Sequence, residues 1–364
     1  IDVTMRRNHI HHCTMGIWCD WEAQGTRLSQ NLLHDNQRPP FASVLKGGMM
    51  SQDIFVEVGH GPTLIDNNIM LSDASLRFAT EGVALVHNLI CGALTCVGGG
   101  TGPRYTPYHM PHRTEVMGFM TVLHGDDRFY NNIFVQKWPS DDIITMHDSD
   151  DGFDTENRAA GTWMFDEYPT YDEWISQFDF SKPADMAKLY GAHEGKLPVW
   201  IEGNAYLGGA KPSKKDVNAL ISAVAREDVR VELVQKEDGY YLDTNVYELI
   251  EGFKNRMIDS DVLGKAFEPE ERFENPDGTA IRFDSDYFGT HRGVDVIPGP
   301  FASKEEAVLN EEASLPLAAG SFCDIMKLND YNNRRRILWQ RQISKRTVMV
   351  KSHQLQRCQV NGCI

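Results

Sequence analysis

Five segments in the first 140 residues share one arrangement of apolar and polar positions around an asparagine: VTMRRNHI, GTRLSQNLL, PTLIDNNIM, GVALVHNLI and DDRFYNNIF. With Asn8, Asn31, Asn68, Asn88 and Asn132 aligned, the residue three places earlier is Met5, Leu28, Ile65, Leu85 or Phe129. The residue two places later is Ile10, Leu33, Met70, Ile90 or Phe134, so both positions are always apolar. VWIEGNAYL repeats the frame with Ile201, Asn204 and Tyr206. Successive asparagines lie 23, 37, 20 and 44 residues apart, which is a unit of about 20–24 residues, one unit carrying a surplus of about 14, and one double unit. The surplus falls on RPPFASVLKGGMM (38–50), where Pro-Pro and Gly-Gly mark a loop. Short strands recurring at this period predict a solenoid. The dense LxxLxL frame of a leucine-rich array is absent, so the pattern predicts a parallel β-helix whose asparagines stack at one turn of each coil.

Beyond residue 150 the pattern changes. TYDEWISQF (170–178) and SKPADMAKLYG (181–191) open on the N-caps Thr170 and Ser181 and read as short helices. SKKDVNALISAVARED (213–228) sets Val217, Leu220, Ile221 and Val224 on one face of a further helix. VRVELVQKEDGYYLDTNVYELI then alternates with period two around Asp238-Gly239, a hairpin signal. The expected class is all-β: a parallel β-helix, a flanking antiparallel β-sandwich-like region and a few short helices. The expected divisions are 1–155 for the first coils, 156–320 for the remaining coil or coils with the flanking region, and 321–364 for a tail.

Charge sharpens these divisions. The chain carries 52 acidic and 36 basic side chains, a net −16. From Lys327 to the end, nine Lys/Arg face only Asp330, so the tail is +8 and the rest −24. An acidic body excludes nucleic acid as its partner, since phosphate binding needs a basic face. The tail, with Arg334, Arg335 and Arg336 in a row, reads as a poorly ordered extension. No run of eighteen apolar residues exists, so no membrane-spanning helix is expected. Seven cysteines without a CxxC pair read as buried thiols of a reducing, cytoplasmic setting. The opening IDVTMRRNHI shows no signal peptide and reads as the interior of a longer chain. GGGTGP (98–103) lacks the Lys-Ser/Thr of a phosphate-binding loop.

The candidate chemistry comes from the same alignment. Asp20 lies eleven residues before Asn31 and Glu57 eleven before Asn68, one position on consecutive coils. In IWCDWE, period two sends Ile17, Cys19 and Trp21 to one face and Trp18, Asp20 and Glu22 to the other; in IFVEVG it separates Ile54, Val56 and Val58 from Phe55, Glu57 and Gly59. The first set is apolar in both and forms the core, so the acids point outward, with Trp18 and Phe55 as a sugar platform. Parallel strands stack about 4.8 Å apart, near the roughly 5–5.5 Å between carboxylates of a retaining glycosidase and short of the roughly 6.5–9.5 Å of an inverting one. Like charges this close separate the two pKa values. His60 in VGHGP is placed to bind a sugar hydroxyl or to orient Glu57. His109 and His112 in YHMPH belong to a Pro-rich loop that would line a cleft, and no nearby acid or cysteine completes a metal spacing around them. Arg27 in QGTR is either structural or a substrate contact.

GIWCDWEAQGTRLSQNLLHDN followed by DIFVEVGHGPTLIDNNIMLS closely resembles the β-xylosidases of glycoside hydrolase family 120, and PYHMPHRTEVMG and GDDRFYNNIF fit the same picture. The resemblance covers about residues 1–155 and extends to GVDVIPGPFAS. It implies a right-handed parallel β-helix and a retaining, exo-acting hydrolase that releases terminal β-xylosyl residues from xylo-oligosaccharides. It also implies Asp20 as nucleophile, Glu57 as acid/base, Trp18, His60, His109, His112 and Arg27 as substrate-binding residues, and neither cofactor nor metal. A homo-oligomer is compatible with it. Family chains have further β-helix ahead of these motifs, so part of the pocket is expected to be missing and the chain as given to be inactive. A polysaccharide lyase or a non-enzymatic glycan-binding β-helix are the competing readings; the acidic body would attract uronide substrates poorly.

Overall fold

The computed structural model describes residues 1–37, 51–97, 105–137, 142, 144–146, 156–179, 181–182, 196–307 and 316–319. The loop at 38–50, the glycine run at 98–103, most of the helix expected at 181–191 and the basic tail lie outside them. The fold is all-β, with a few short helices.

Three sheets carry it. The first orders Thr4–Arg6, Thr26–Ser29, Thr63–Asp66, Val83–Val86, Asp127–Tyr130 and Val199–Glu202, all parallel. The second runs beside it through His9–His11, Leu32–His34, Ile69–Met70, Leu89–Ile90, Ile133–Val135, Ala205–Leu207 and Leu220–Ile221. The third stacks Met15–Cys19, Gln52–Glu57, Ala74–Ala79 and Ala93–Val97 in parallel, then adds Glu156–Ala159 and Ile144–Met146 antiparallel. The chain visits the sheets in turn, so each of the first four rungs gives one strand to each. Met5, Leu28, Ile65, Leu85, Phe129 and Ile201 stand in register along one sheet, and Ile10, Leu33, Met70, Ile90, Phe134 and Tyr206 along the next. Their side chains fill one core with Ile17, Cys19, Ile54, Val56, Leu76 and Phe78 of the third sheet.

The asparagines stack as the sequence predicts. Each ladder asparagine from Asn8 to Asn132 donates its Nδ2 to the Oδ1 of the next, at 2.9–3.0 Å, ending on Asn204. Each Oδ1 from Asn31 to Asn204 also accepts the backbone N–H of the asparagine before it. The turn that presents them has a second feature. The residue just before each asparagine is left-handed: Arg7, Gln30, Asn67, His87, Asn131 and Gly203 have φ between 52° and 72°. That single positive φ turns the chain from the first sheet into the second while the amide points inward.

Residues 213–228 correct the helix expected there. Val217 bridges to Glu202, Leu220 and Ile221 pair in parallel with Ala205 and Tyr206, and Asn218 takes φ 63°. The segment is one more rung, with Ala219 where the asparagine would stand. Its helical periodicity lost to the open edge offered by Ala205–Leu207, whose backbone groups it satisfies. Elsewhere Tyr171–Ile175 is helical behind a Thr170–Glu173 capping box, and Val231–Lys236 pairs antiparallel with Gly239–Thr244 around a Glu237-Asp238 turn, one residue ahead of the expected tip.

Two outward faces are covered. Leu32, Ile69, Leu89 and Ile133 of the second sheet pack under Val231, Leu242, Tyr247 and Phe301. Leu64, Ala84, Val86 and Tyr130 of the first pack under Ile258, Leu263, Phe273 and Phe283. A polar network holds the turn between the second and third sheets: Asp53 accepts from Asn36 Nδ2 (2.9 Å) and Ser72 Oγ (2.5 Å). Burial pushes its carboxyl up to about 7, against the hydrogen bonds from Ser72 and Asn36. The folded pKa therefore lies above the ordinary 3.8, so the folded state holds the proton longer and Asp53 removes stability as pH rises from about 4 through about 7. In urea titrations at pH 5 and pH 8, Asp53→Asn should narrow the stability difference shown by the parent; an unchanged difference would contradict the assignment.

Candidate active site

Asp20 and Glu57 belong to the third sheet, beside neighbouring strands. Trp18 pairs with Phe55 and Cys19 with Val56, so Asp20 and Glu57 are the next residues along two strands in register, one rung apart. Ile17, Cys19, Ile54, Val56 and Val58 are buried, while Trp18 and Asp20 are exposed and Glu57 half-buried. A slip of one residue would have inverted the whole set.

The indole of Trp18, 49% exposed, does two things. Its ring stacks on Phe55 at 5.9 Å and 18°, and its Nε1–H donates to Glu57 Oε2 at 2.9 Å. Phe55 itself is fully buried, which corrects its expected role as platform. It faces outward but is covered on one side by Trp18 and on the other by the Arg77 guanidinium, 4.8 Å from its ring centroid. Trp21, expected on the core face, is 47% exposed instead, because it stands in the turn after the strand, where alternation no longer sets direction. Asp20 Oδ1 accepts the N–H of Trp21, which starts the turn.

His60 and His109 lie beneath this surface and connect it to the hairpin Tyr105–His109/Val116–Thr121. His60 is buried, with Nδ1 2.6 Å from Glu81 Oε1 and Nε2 3.2 Å from the Thr106 carbonyl. Burial opposes its charge, but the Glu81 carboxylate outweighs it and raises the pKa. Glu81 also accepts the N–H of Leu123. The turn after Glu57 is thereby fixed from below, including Val58 at φ 43° and Gly59 bonded to Thr80. His109 exchanges backbone bonds with the Gln24 amide and stands 3.4 Å from Glu22, so the same hairpin braces the turn after Asp20.

Arg27 and His112 stand elsewhere. Arg27, on the first sheet, makes a two-pronged ion pair with buried Asp66 at 2.8 and 3.0 Å. His112 places Nδ1 3.0 Å from Asp2 and Nε2 3.2 Å from Glu274; burial opposes its charge, and those carboxylates raise its pKa. Asp2, His112 and buried Glu271 bring ligand atoms within 4.8 Å of one another, an arrangement able to hold a cation. Asp2 and Glu274 are 110 and 162 residues from His112, so local spacing could not show them. An imidazolium at His112 offsets part of their charge, and Arg272, 3.6 Å from Glu274, adds a second cation. Sequence reasoning also missed Arg77, Glu81 and Gln24; each is buried, and only its position beside an outward strand or turn hinted at a role.

No protein-family model matches the chain, and no curated protein matches it. One solved structure does. Described as the complex structure of XylC with xylose, it is 32% identical with a TM-score of 0.67, over 83% of this chain and 41% of that one. The chain thus spans less than half the length of this neighbour.

Proposed function

We propose that the three sheets are coils of a right-handed parallel β-helix and that the chain carries the catalytic carboxylates of a retaining β-xylosidase of glycoside hydrolase family 120. The observation that carries the reading is the register of Asp20 and Glu57 on adjacent rungs, on the one sheet where an open tryptophan adjoins them. Likeness to a structure described with xylose bound supports a xylosyl substrate. Asp20 attacks the anomeric carbon while Glu57 gives its proton to the departing oxygen, leaving a xylosyl ester on Asp20. Glu57 then takes a proton from water, which breaks the ester with overall retention. Trp18 holds the acid/base through its indole N–H and offers its face to the sugar.

An activated 2-deoxy-2-fluoro-β-xyloside tests this without requiring turnover, because the fluorine slows release of the ester more than its formation. Mass spectrometry of a full-length version of the protein after treatment should find one fluoroxylosyl group, on the peptide containing Asp20. Labelling elsewhere would reassign the nucleophile, and no labelling would favour a glycan-binding role for the same surface.

A further inference from the structure

The run His9-Ile10-His11-His12 sits on the first strand of the second sheet and the turn after it, and the fold sets His34 of the next rung against it. His11 pairs in register with His34, and their rings stack at 4.9 Å with 5° between planes. His9 Nε2 is 2.7 Å from His34 Nε2, and His11 Nδ1 is 2.6 Å from His12 Nδ1. The His9 ring lies 4.6 Å from that of His11 and 4.5 Å, edge-on, from that of Tyr240. On its far side His34 points Nδ1 at Asp35 Oδ2, 2.6 Å away.

These contacts fix where the lone pairs are. An ionised carboxylate only accepts, so His34 Nδ1 carries a hydrogen, and in the neutral ring its Nε2 is a lone pair that accepts from His9 Nε2–H. A carboxylate bound to the far nitrogen is the arrangement that orients an imidazole toward a metal ion and raises its basicity. Two nitrogens 2.7 Å apart need only a small ring rotation to reach the roughly 3.3 Å that tetrahedral zinc, with Zn–N about 2.0–2.1 Å, would require. Burial, then the neighbouring imidazoles of His34 and His11, push His9 down to about 4, and burial followed by His34 lowers His11. Calcium and magnesium take oxygen ligands, so an all-imidazole group selects zinc, copper or nickel.

We propose that His9 and His34 are the paired ligands of a zinc-class ion, with Asp35 orienting His34. The site belongs to the second sheet, apart from the carboxylates of the third, and does not depend on the glycosidase reading. Titration of the full chain with Zn²⁺ alone, in a non-chelating buffer at pH 7.5, should show one saturable site and a rise in melting temperature. His34→Gln should weaken binding at least 100-fold. Asp35→Asn, which removes no ligand and lies at the surface, should weaken it about 10-fold or more. His112→Gln should leave it unchanged, because His112 belongs to the separate Asp2 cluster. Absence of binding would overturn the proposal. So would undiminished binding in Asp35→Asn or His34→Gln, which would mean loose chelation by the exposed His11–His12 pair.

Discussion

In a full-length version of the protein, Asp20→Ala is expected on the retaining-glycosidase reading to lower turnover of every β-xyloside by about four orders of magnitude or more, whatever the leaving group. With the nucleophile gone no glycosyl ester can form, and a better leaving group cannot replace a missing bond. Glu57→Ala should behave differently. Loss of a general acid costs roughly 10²–10⁴-fold where the leaving oxygen needs a proton, and far less for a leaving group already stable as an anion. Activated aryl xylosides should therefore still load Asp20, and the slow step becomes attack by water without its base. Azide needs no base, so it should restore release and give a β-xylosyl azide. An α-azide from Asp20→Ala, with no rescue of Glu57→Ala, would exchange the two roles. Detection of α-xylose as the first product by NMR would mean inversion, and the one-rung separation would then not set the outcome.

The separation between Asp20 and Glu57 is a property of the fold as much as of the two residues. Cys19 pairs with Val56 only because the turns after both strands have the same length, six residues from Asp20 to Thr26 and from Glu57 to Thr63. One rung further, Ala79 to Val83 takes four residues, and the pairing shows the result: Glu57 faces Ala79, and Arg77 falls opposite Phe55. Counting eleven residues back from each asparagine therefore finds the right partner for Asp20 and the wrong one for Glu57. The repeat was legible because each asparagine and its two apolar flanks recur at fixed offsets. The corner lengths were not, because polar turns have no shared offset to reveal an insertion of two.

The same distinction explains two of the sequence expectations that changed. Val217, Leu220, Ile221 and Val224 fit a helical face as well as they fit strands. What decided between them was the unpaired edge of Ala205–Leu207, a feature of the assembled sheets and of no local window. Phe55 was placed on the correct face but given the wrong exposure. Alternation tells which way a side chain points, whereas the Trp18 and Arg77 side chains that cover it come from the adjacent rungs. His60 and His112 show the limit for charged groups. Their partners Glu81, Asp2 and Glu274 are up to 162 residues away, so a role in tying segments together was visible only in three dimensions.

The ladder should show its importance through position. Asn68→Ala is expected to destabilise the protein by about 3–6 kcal/mol, and Asn8→Ala by about 1 kcal/mol or less. Asn68 is completely buried and serves both directions of the stack. Its Oδ1 accepts from Asn31 N and Nδ2, and its Nδ2 donates to Asn88 Oδ1 and the Leu28 carbonyl. Alanine abandons all four partners, and water cannot reach them, so several carry a desolvation penalty of roughly 1–3 kcal/mol each. Asn8 is exposed at the first described rung and gives its amide to Asn31 alone, whose freed oxygen water can approach. Asn68→Asp separates loss of volume from loss of bonding: it keeps the acceptor but replaces the N–H donors with a buried charge facing the Leu28 carbonyl and Asn88 Oδ1. It should destabilise at least as much as alanine at pH 8. Urea midpoints for the three variants measure this directly; equal losses at positions 8 and 68 would mean that the apolar frame holds the rungs and the asparagines merely follow it.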